Sequence, residues 1–125
     1  MTNKYIYEEA SFASFDDVRA AIKKSDKHLV CKSMPAIGME SNLSMEVYDL
    51  IELCLKSKDE WIRRAGYMCI YHLYVRFSDQ VFSDRIISLI KEGMKDDNEA
   101  VQEMINNILD EVKEFSGNIY NQLYN

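Results

Sequence analysis

Residues 59–73 have the sequence DEWIRRAGYMCIYHL. Apolar residues recur in it at intervals of three and four, at Ile62, Ala65, Cys69 and Leu73. This spacing places them on one face of an α-helix, and an aspartate such as Asp59 is a common N-terminal cap. The stretch therefore predicts an amphipathic helix that begins next to Asp59.

The same pattern returns later in the chain, where residues 98–112 have the sequence NEAVQEMINNILDEV. We call the sequence separation from Asp59 to Asn98 the repeat offset. It also relates the apolar segments before them, residues 47–55 and 86–94, and eleven apolar pairs match in all. A period of roughly 40 residues with two helices in each repeat is typical of HEAT and armadillo solenoids. We therefore predict two helix pairs; the alternative is a helical bundle without repeats.

The flanking segments carry weaker signals. Ser14 and Asp17 form a capping pattern that predicts a first helix over residues 15–25. Residues 26–43 contain Pro35 and Gly38, so they fit either a helical turn or a short strand, and a short helix is favoured. The last long helix is predicted to end at Gly117.

The predicted architecture is a single all-α domain, since 125 residues suffice for one hydrophobic core. It is a short HEAT-like α-solenoid of antiparallel helix pairs. Its parts are an N-terminal helix and irregular segment (1–43), a first helix pair (44–77), a second helix pair (78–116) and a tail that caps the last pair or frays (117–125), which together make the domain 1–125.

The segment KDEWIRRA, residues 58–65, resembles the turn and second-helix start of a HEAT repeat. Its Trp-x-Arg-Arg-Ala form is similar to the helical repeats of the DNA alkylation repair family. The second pair departs from this form, because Val101-Gln102 stands where the arginine would be. The resemblance implies a binding scaffold without a defined chemistry. For Arg63 and Arg64 it implies structural roles, and a salt bridge is favoured over a contact with phosphate.

The charge of the chain is unevenly distributed. The net charge is −6, yet Lys and Arg balance Asp and Glu over residues 1–95. Residues 96–125 hold seven acids against the single Lys113. Because a nucleic-acid backbone needs a basic footprint, this distribution disfavours nucleic acid and favours a basic protein partner.

The N-terminal residues lack the pattern of a secretory signal, and no apolar run reaches the roughly 18 residues that span a bilayer. Three cysteines at wide spacings, Cys31, Cys54 and Cys69, do not form a disulfide framework and are expected in the core. These features predict a cytoplasmic protein that does not associate with membranes.

Catalytic and metal-binding patterns are absent from the sequence. Cys69 and His72 lie three residues apart on one predicted helix, but two ligands do not make a zinc site. Cys69 also falls on the core-facing side of its helix, where a thiol is normally inert. We therefore predict that the protein is not an enzyme and that it requires no metal or cofactor.

Two surface features predict a protein-binding site. At about 100° per residue, five acids are predicted to fall within one narrow arc on the last long helix. We call this arc the acidic ridge; its residues are Asp96, Glu99, Glu103, Asp110 and Glu114. The alternative is an ordinary solvated helix face.

The second feature is the helix that begins near Trp61. Tyr67 and Tyr71 are predicted to reach the surface there, together with Arg64. Tyrosine and arginine are enriched at interface hot spots, so these residues are candidates for binding a partner. Trp61 itself is expected to pack in the core.

The combination of small size, acidic charge and a binding scaffold is similar to bacterial immunity proteins, which neutralise basic toxins such as nucleases. The leading hypothesis is an immunity protein that binds a basic toxin domain. Two alternatives remain: a nucleic-acid or DNA-repair-associated HEAT-like protein, and a regulatory adaptor of a cellular enzyme. The sequence gives no indication of the oligomeric state.

Overall fold

The computed structural model describes residues 14–125, and all regular structure in this range is helical. The predicted all-α fold is confirmed. Residues 14–125 contain seven α-helices: α1 (Phe15–Lys23), α2 (Lys27–Glu40), α3 (Met45–Leu55), α4 (Glu60–Phe77), α5 (Asp84–Gly93), α6 (Glu99–Phe115) and α7 (Gly117–Leu123). A 3-10 turn (Ser78–Val81) follows α4.

The first six helices begin at a residue whose side chain accepts hydrogen bonds from exposed backbone N–H groups, which fixes each helix start. These caps are Ser14, Asp26, Ser44, Asp59, Ser83 and Asn98. The repeat offset separates the cap of α3 from the cap of α5, and it likewise separates the cap of α4 from the cap of α6. The repeat read from the sequence is therefore present in the structure.

The helices form three antiparallel pairs, α1 with α2, α3 with α4, and α5 with α6. Helices α1, α3 and α5 make one layer, and α2, α4 and α6 make the other, which we call the inner layer. Each inner helix packs on the next one, so α4 is held between α2 and α6. This arrangement is a short HEAT-like α-solenoid with a continuous apolar core.

The structure contains one helix pair more than predicted, because most of residues 26–43 form α2. Six consecutive residues of α2, Ser33 to Gly38, are buried, so the helix lacks the polar face that a periodic pattern needs. Pro35 lies inside the helix, where proline usually signals an end. The prediction of two pairs is corrected to three.

The C-terminal residues pack against the last pair as a cap. Helix α7 buries Ile119 and Leu123 against the solenoid end, and its contacts are with α5 and α6. Helix α6 ends at Phe115. This end lies two residues before the predicted one at Gly117, which is instead the first residue of α7.

Candidate functional site

The solvent-facing side of α4 carries a row of large side chains spaced three and four residues apart. We call it the α4 stripe; its residues are Trp61, Arg64, Met68, Tyr71 and Val75. Trp61 is 44% exposed and Val75 is 62% exposed, and the other three are half-buried. Met68 and Tyr71 pack partly against the core, so the apolar and aromatic surface is most open at the two ends of α4.

The acids of the ridge lie on the outer face of α6. Glu99, Glu103, Asp110 and Glu114 are all exposed. None of these four carboxylates forms a salt bridge with another residue between 14 and 125. The structure therefore leaves a line of negative charge without balancing cations from the described part of the fold.

The stripe and the ridge occupy equivalent positions in successive repeats. The repeat offset relates Arg64 to Glu103, Met68 to Asn107, Tyr71 to Asp110, and Val75 to Glu114. Because α4 and α6 are adjacent in the inner layer, the two faces lie side by side. Met68 and Val75 were not predicted from the sequence, although the repeat offset, applied to exposed as well as buried positions, relates them to residues on the face of the acidic ridge.

Asp96 does not belong to the acidic ridge. It lies in the turn between α5 and α6 and forms an ion pair with Arg63, with Arg63 Nε 2.7 Å from Asp96 Oδ2. Burial alone would raise the pKa of Asp96, but hydrogen bonds from Arg63 and from the Asn98 N–H outweigh it and lower that pKa. The predicted salt-bridge role of Arg63 is confirmed, and the assignment of Asp96 to the ridge is wrong.

Tyr67 is buried, with 2% of its surface exposed, which corrects its predicted place at the surface. Its Oη donates a hydrogen bond to the Leu89 carbonyl at 3.4 Å, and its ring lies over Gly93. The equivalent residue of the next repeat, Asn106, is exposed. The difference arises because α4 has a following helix pair to pack on, whereas α6 has only the short α7 beyond it.

Trp61 and Cys31 are both more exposed than predicted, and they meet where α2 passes the start of α4. The Cys31 thiol donates to the Trp61 carbonyl at an S···O distance of 3.5 Å. Burial and the nearby Asp59 raise the pKa of Cys31, while Arg64 and Lys27 act in the opposite direction. One end of the stripe is therefore bordered by exposed basic residues of α2.

The other end of the stripe opens into a shallow groove between α4 and α6. Its lining includes Val75, Ser78, Glu111 and Phe115. Phe115, which the sequence pattern places on the apolar core face, is 71% exposed here. The apolar surface of the stripe thus continues from Val75 to Phe115, at the C-terminal end of α6.

Hydrogen bonds hold the backbone next to this groove. Tyr74 Oη lies 2.5 Å from Ser116 Oγ, and Ser116 also donates to Asp79. Ser78, next to Asp79 in the chain, has a positive φ of 54°, a conformation that residues other than glycine rarely adopt. The network joins α4, the 3-10 turn and the end of α6 into one fixed unit.

Cys69 and His72, the pair considered above as metal ligands, differ in how deeply they are buried. Cys69 is fully buried, as predicted, and burial raises its pKa, which keeps the thiol protonated. Burial lowers the pKa of half-buried His72. Within residues 14–125, no three His, Cys, Asp or Glu side chains are grouped as metal ligands would be.

A search for membrane-crossing helices among residues 14–125 finds none of sufficient length and hydrophobicity.

Comparison with known families adds one match. Residues 27–125, which include α2 to α7, match the family model of Cnd1, the non-SMC mitotic condensation complex subunit 1. Searches of curated proteins and of solved structures give no match. The match supports the HEAT-like helical repeat, and the similarity to the alkylation repair family stays a prediction. The chain belongs to the Cnd1 family, whose model covers all three of its inner-layer helices.

Proposed function

We propose that this chain is a protein-binding module that holds a basic partner protein on the acidic ridge, and that it is not an enzyme. The family it belongs to is named for a subunit of a condensation complex, a protein that works in assembly with others. HEAT-like solenoids present extended surfaces of this kind to their partners.

The observation that carries the proposal is the uncompensated charge on α6. Glu99 with Glu103, and Asp110 with Glu114, are like charges four residues apart. Each such pair destabilises an isolated helix by about 0.2–0.5 kcal/mol. These carboxylates form no ion pair within residues 14–125. Attraction to the cations of a basic partner would offset their mutual repulsion and would also speed association.

The stripe beside the ridge supplies the apolar part of an interface. Charged surfaces mainly set association rate and selectivity, while most of the affinity comes from a few buried aromatic and arginine side chains. Trp61, Tyr71 and Arg64 are residues of these types, and they lie next to the ridge. The proposed site therefore comprises both faces, without Asp96 and Tyr67.

The finer form of the proposal is that the partner is a basic toxin domain, such as a nuclease, and that the chain acts as an immunity protein. It rests on the size and acidity of the chain, and the family match lends it no support. A nucleic-acid role has less physical basis, because Arg63 is paired with Asp96 and the exposed face of α6 is acidic. An adaptor for a cellular enzyme would use the same surface.

Charge reversal on the ridge tests the proposal. The ridge variant carries Glu103→Lys, Asp110→Lys and Glu114→Lys. The matched control carries Asp17→Lys, Asp84→Lys and Glu92→Lys, which are exposed acids of α1 and α5 and change the net charge equally. The partner is captured with the tagged full chain from the source cells, purified, and titrated against both variants by calorimetry at low and raised ionic strength.

We expect the ridge variant to bind at least about tenfold more weakly, equivalent to about 1.4 kcal/mol, and to lose most of the salt dependence. The control variant should bind the partner as the unmodified chain does. Equal affinity of the ridge variant and the control would show that the ridge does not contact the partner.

A further inference from the structure

We infer that the segment of the partner held on this surface is an amphipathic α-helix with a basic flank, seated on the α4 stripe with that flank over the acidic ridge. The inference rests on the proposed function and specifies the partner's secondary structure and its orientation. It follows from the dimensions, the hydrogen-bonding state and the charges of the surface.

The dimensions favour an elongated occupant. The stripe runs from Trp61 to Val75, which at 1.5 Å per residue is about 21 Å. Its residues recur every three or four positions along nearly four turns, so they present a straight row of four apolar or aromatic side chains and one arginine. The ridge on α6 lies parallel to it, and packed helix axes are about 8–10 Å apart. A helix of about fourteen residues matches this length and width.

The hydrogen-bonding state of the surface selects a helix over an extended strand. The backbone N–H and C=O groups of helix interiors are bonded within the helices, so α4 and α6 offer no open edge to which a strand could add. An extended peptide lying on the stripe would leave its own backbone groups unpaired against apolar side chains, which costs free energy. A helix satisfies its backbone internally and presents only side chains.

The charges on the two sides of the stripe differ in sign. Glu103 and Asp110 lie on the α6 side, while Lys27 and Lys32 are exposed in the first two turns of α2, on the opposite side near the Trp61 end of the stripe. A bound helix with Lys or Arg along one flank gains attraction only when that flank lies over α6. Turning the same helix end to end would place its basic flank over the lysines, so the charge pattern sets the direction of the bound helix.

The groove at the end of the stripe provides a terminal contact. Val75 and Phe115 are exposed there beside the carboxylate of Glu111. A lysine or arginine of the partner can lay its aliphatic stem on these apolar groups and direct its charge to Glu111. The basic flank would then be engaged along α6 from Glu103 to its C-terminal turn.

The test uses Trp61, the only tryptophan in the chain, as an intrinsic probe. The ligand is a synthetic tryptophan-free peptide of sixteen residues, which as a helix is slightly longer than the stripe. It carries leucines at helical spacing, lysines on one flank and glutamates on the other. A scrambled peptide of identical composition, without helical periodicity, is the control. We expect only the patterned peptide to shift the Trp61 emission to shorter wavelength and to gain helical circular dichroism on binding.

Variants of the full chain locate the site. Tyr71→Glu with Val75→Glu should weaken binding of the patterned peptide at least tenfold, because they place charge in the apolar row. Met45→Glu, at a 70% exposed position on α3, should leave the affinity unchanged. Circular dichroism of each variant establishes that its helices are intact before titration.

Equal binding of both peptides, tolerance of the double variant, or no emission shift at the highest soluble peptide concentration would overturn the helix inference. None of these peptide results decides the proposed function, which the ridge variant and the captured partner test. If the captured partner still loses affinity for the ridge variant, a basic protein binds the ridge by another structure. If the ridge variant binds both the captured partner and the patterned peptide as tightly as the unmodified chain does, both proposals are wrong.

Discussion

Arg63 joins three parts of the chain through one guanidinium group. It donates to the carbonyl oxygens of Ser57 and Lys58 in the turn before α4, and to both carboxylate oxygens of Asp96 in the turn before α6. The ion pair is mostly shielded, with 20% of the Arg63 side chain and 14% of the Asp96 side chain exposed. The arginine therefore fixes one helix pair relative to the next.

Asp96→Asn should lower stability in a pH-dependent way. The pKa of Asp96 is lowered in the folded state, so its carboxylate stabilises the fold above the unfolded pKa of about 3.9, and this contribution is lost as the pH falls through the folded value. We expect a loss of about 1–3 kcal/mol near neutral pH that shrinks toward acidic pH. Urea unfolding at a series of pH values measures it.

The neighbouring Asp97 is exposed and outside this ion pair, which makes Asp97→Asn the matched control. That variant should unfold at nearly the same urea concentration as the unmodified chain. A deficit of Asp96→Asn that stays constant from neutral to acidic pH would contradict the role of its ionised carboxylate.

Individual helices differed in how far the sequence predicted them. Helices α3 to α6 were predicted because each buries one face, exposes the other and begins at a capping side chain. Helix α2 was favoured only as a short helix, with a strand as the alternative, because its consecutive buried residues remove the alternation and Pro35 resembles a helix end. The exposure of Tyr67 and Trp61 was misjudged for another reason. It depends on which helices lie on either side of α4, which periodicity within one helix cannot indicate.

Gly38→Ala should destabilise the packing of α2 on α4. A Cβ at Gly38 would lie 2.7 Å from the Cys69 carbonyl oxygen and 2.9 Å from His72 Cβ, atoms that cannot move without shifting α4. We expect a net cost of about 1–3 kcal/mol from overpacking. That cost should prevail although alanine favours a helix by about 1 kcal/mol over glycine. The urea midpoint measures the difference.

Gly117→Ala is the control for this variant, because a Cβ there would meet no atom within 4 Å. It should be neutral or slightly stabilising. If both alanine variants unfold at the same urea concentration, α2 and α4 tolerate the added methyl group, and their packing does not require a glycine at position 38.

At the scale of the whole molecule, the repeat determines both the fold and the candidate site. Every extensive helix contact in the described chain lies within a pair, between neighbouring pairs, or between α7 and the last pair. The sequence predicted the ridge because α6 carries many acids and only one lysine, Lys113. It predicted Arg64 and Tyr71 of the stripe as surface residues, but it missed Met68 and Val75 and placed Trp61 in the core, because the exposure of these residues depends on the helices beside α4.

A solenoid whose contacts are between neighbours should lose stability from the end that is damaged. Leu123 is 2% exposed and anchors α7 to the last pair, so Leu123→Ala should cost about 2–5 kcal/mol locally. Because α7 makes no extensive contact with α1 or α2, hydrogen exchange should accelerate most in α5 to α7 and least in α2. Tyr124→Ala, at a 55% exposed position, is the control and should leave protection nearly unchanged. An equal loss of protection in α2 and α6 would mean instead that the three pairs unfold as one cooperative unit. The helices that carry the stripe and the ridge could then not unfold independently of the N-terminal pair.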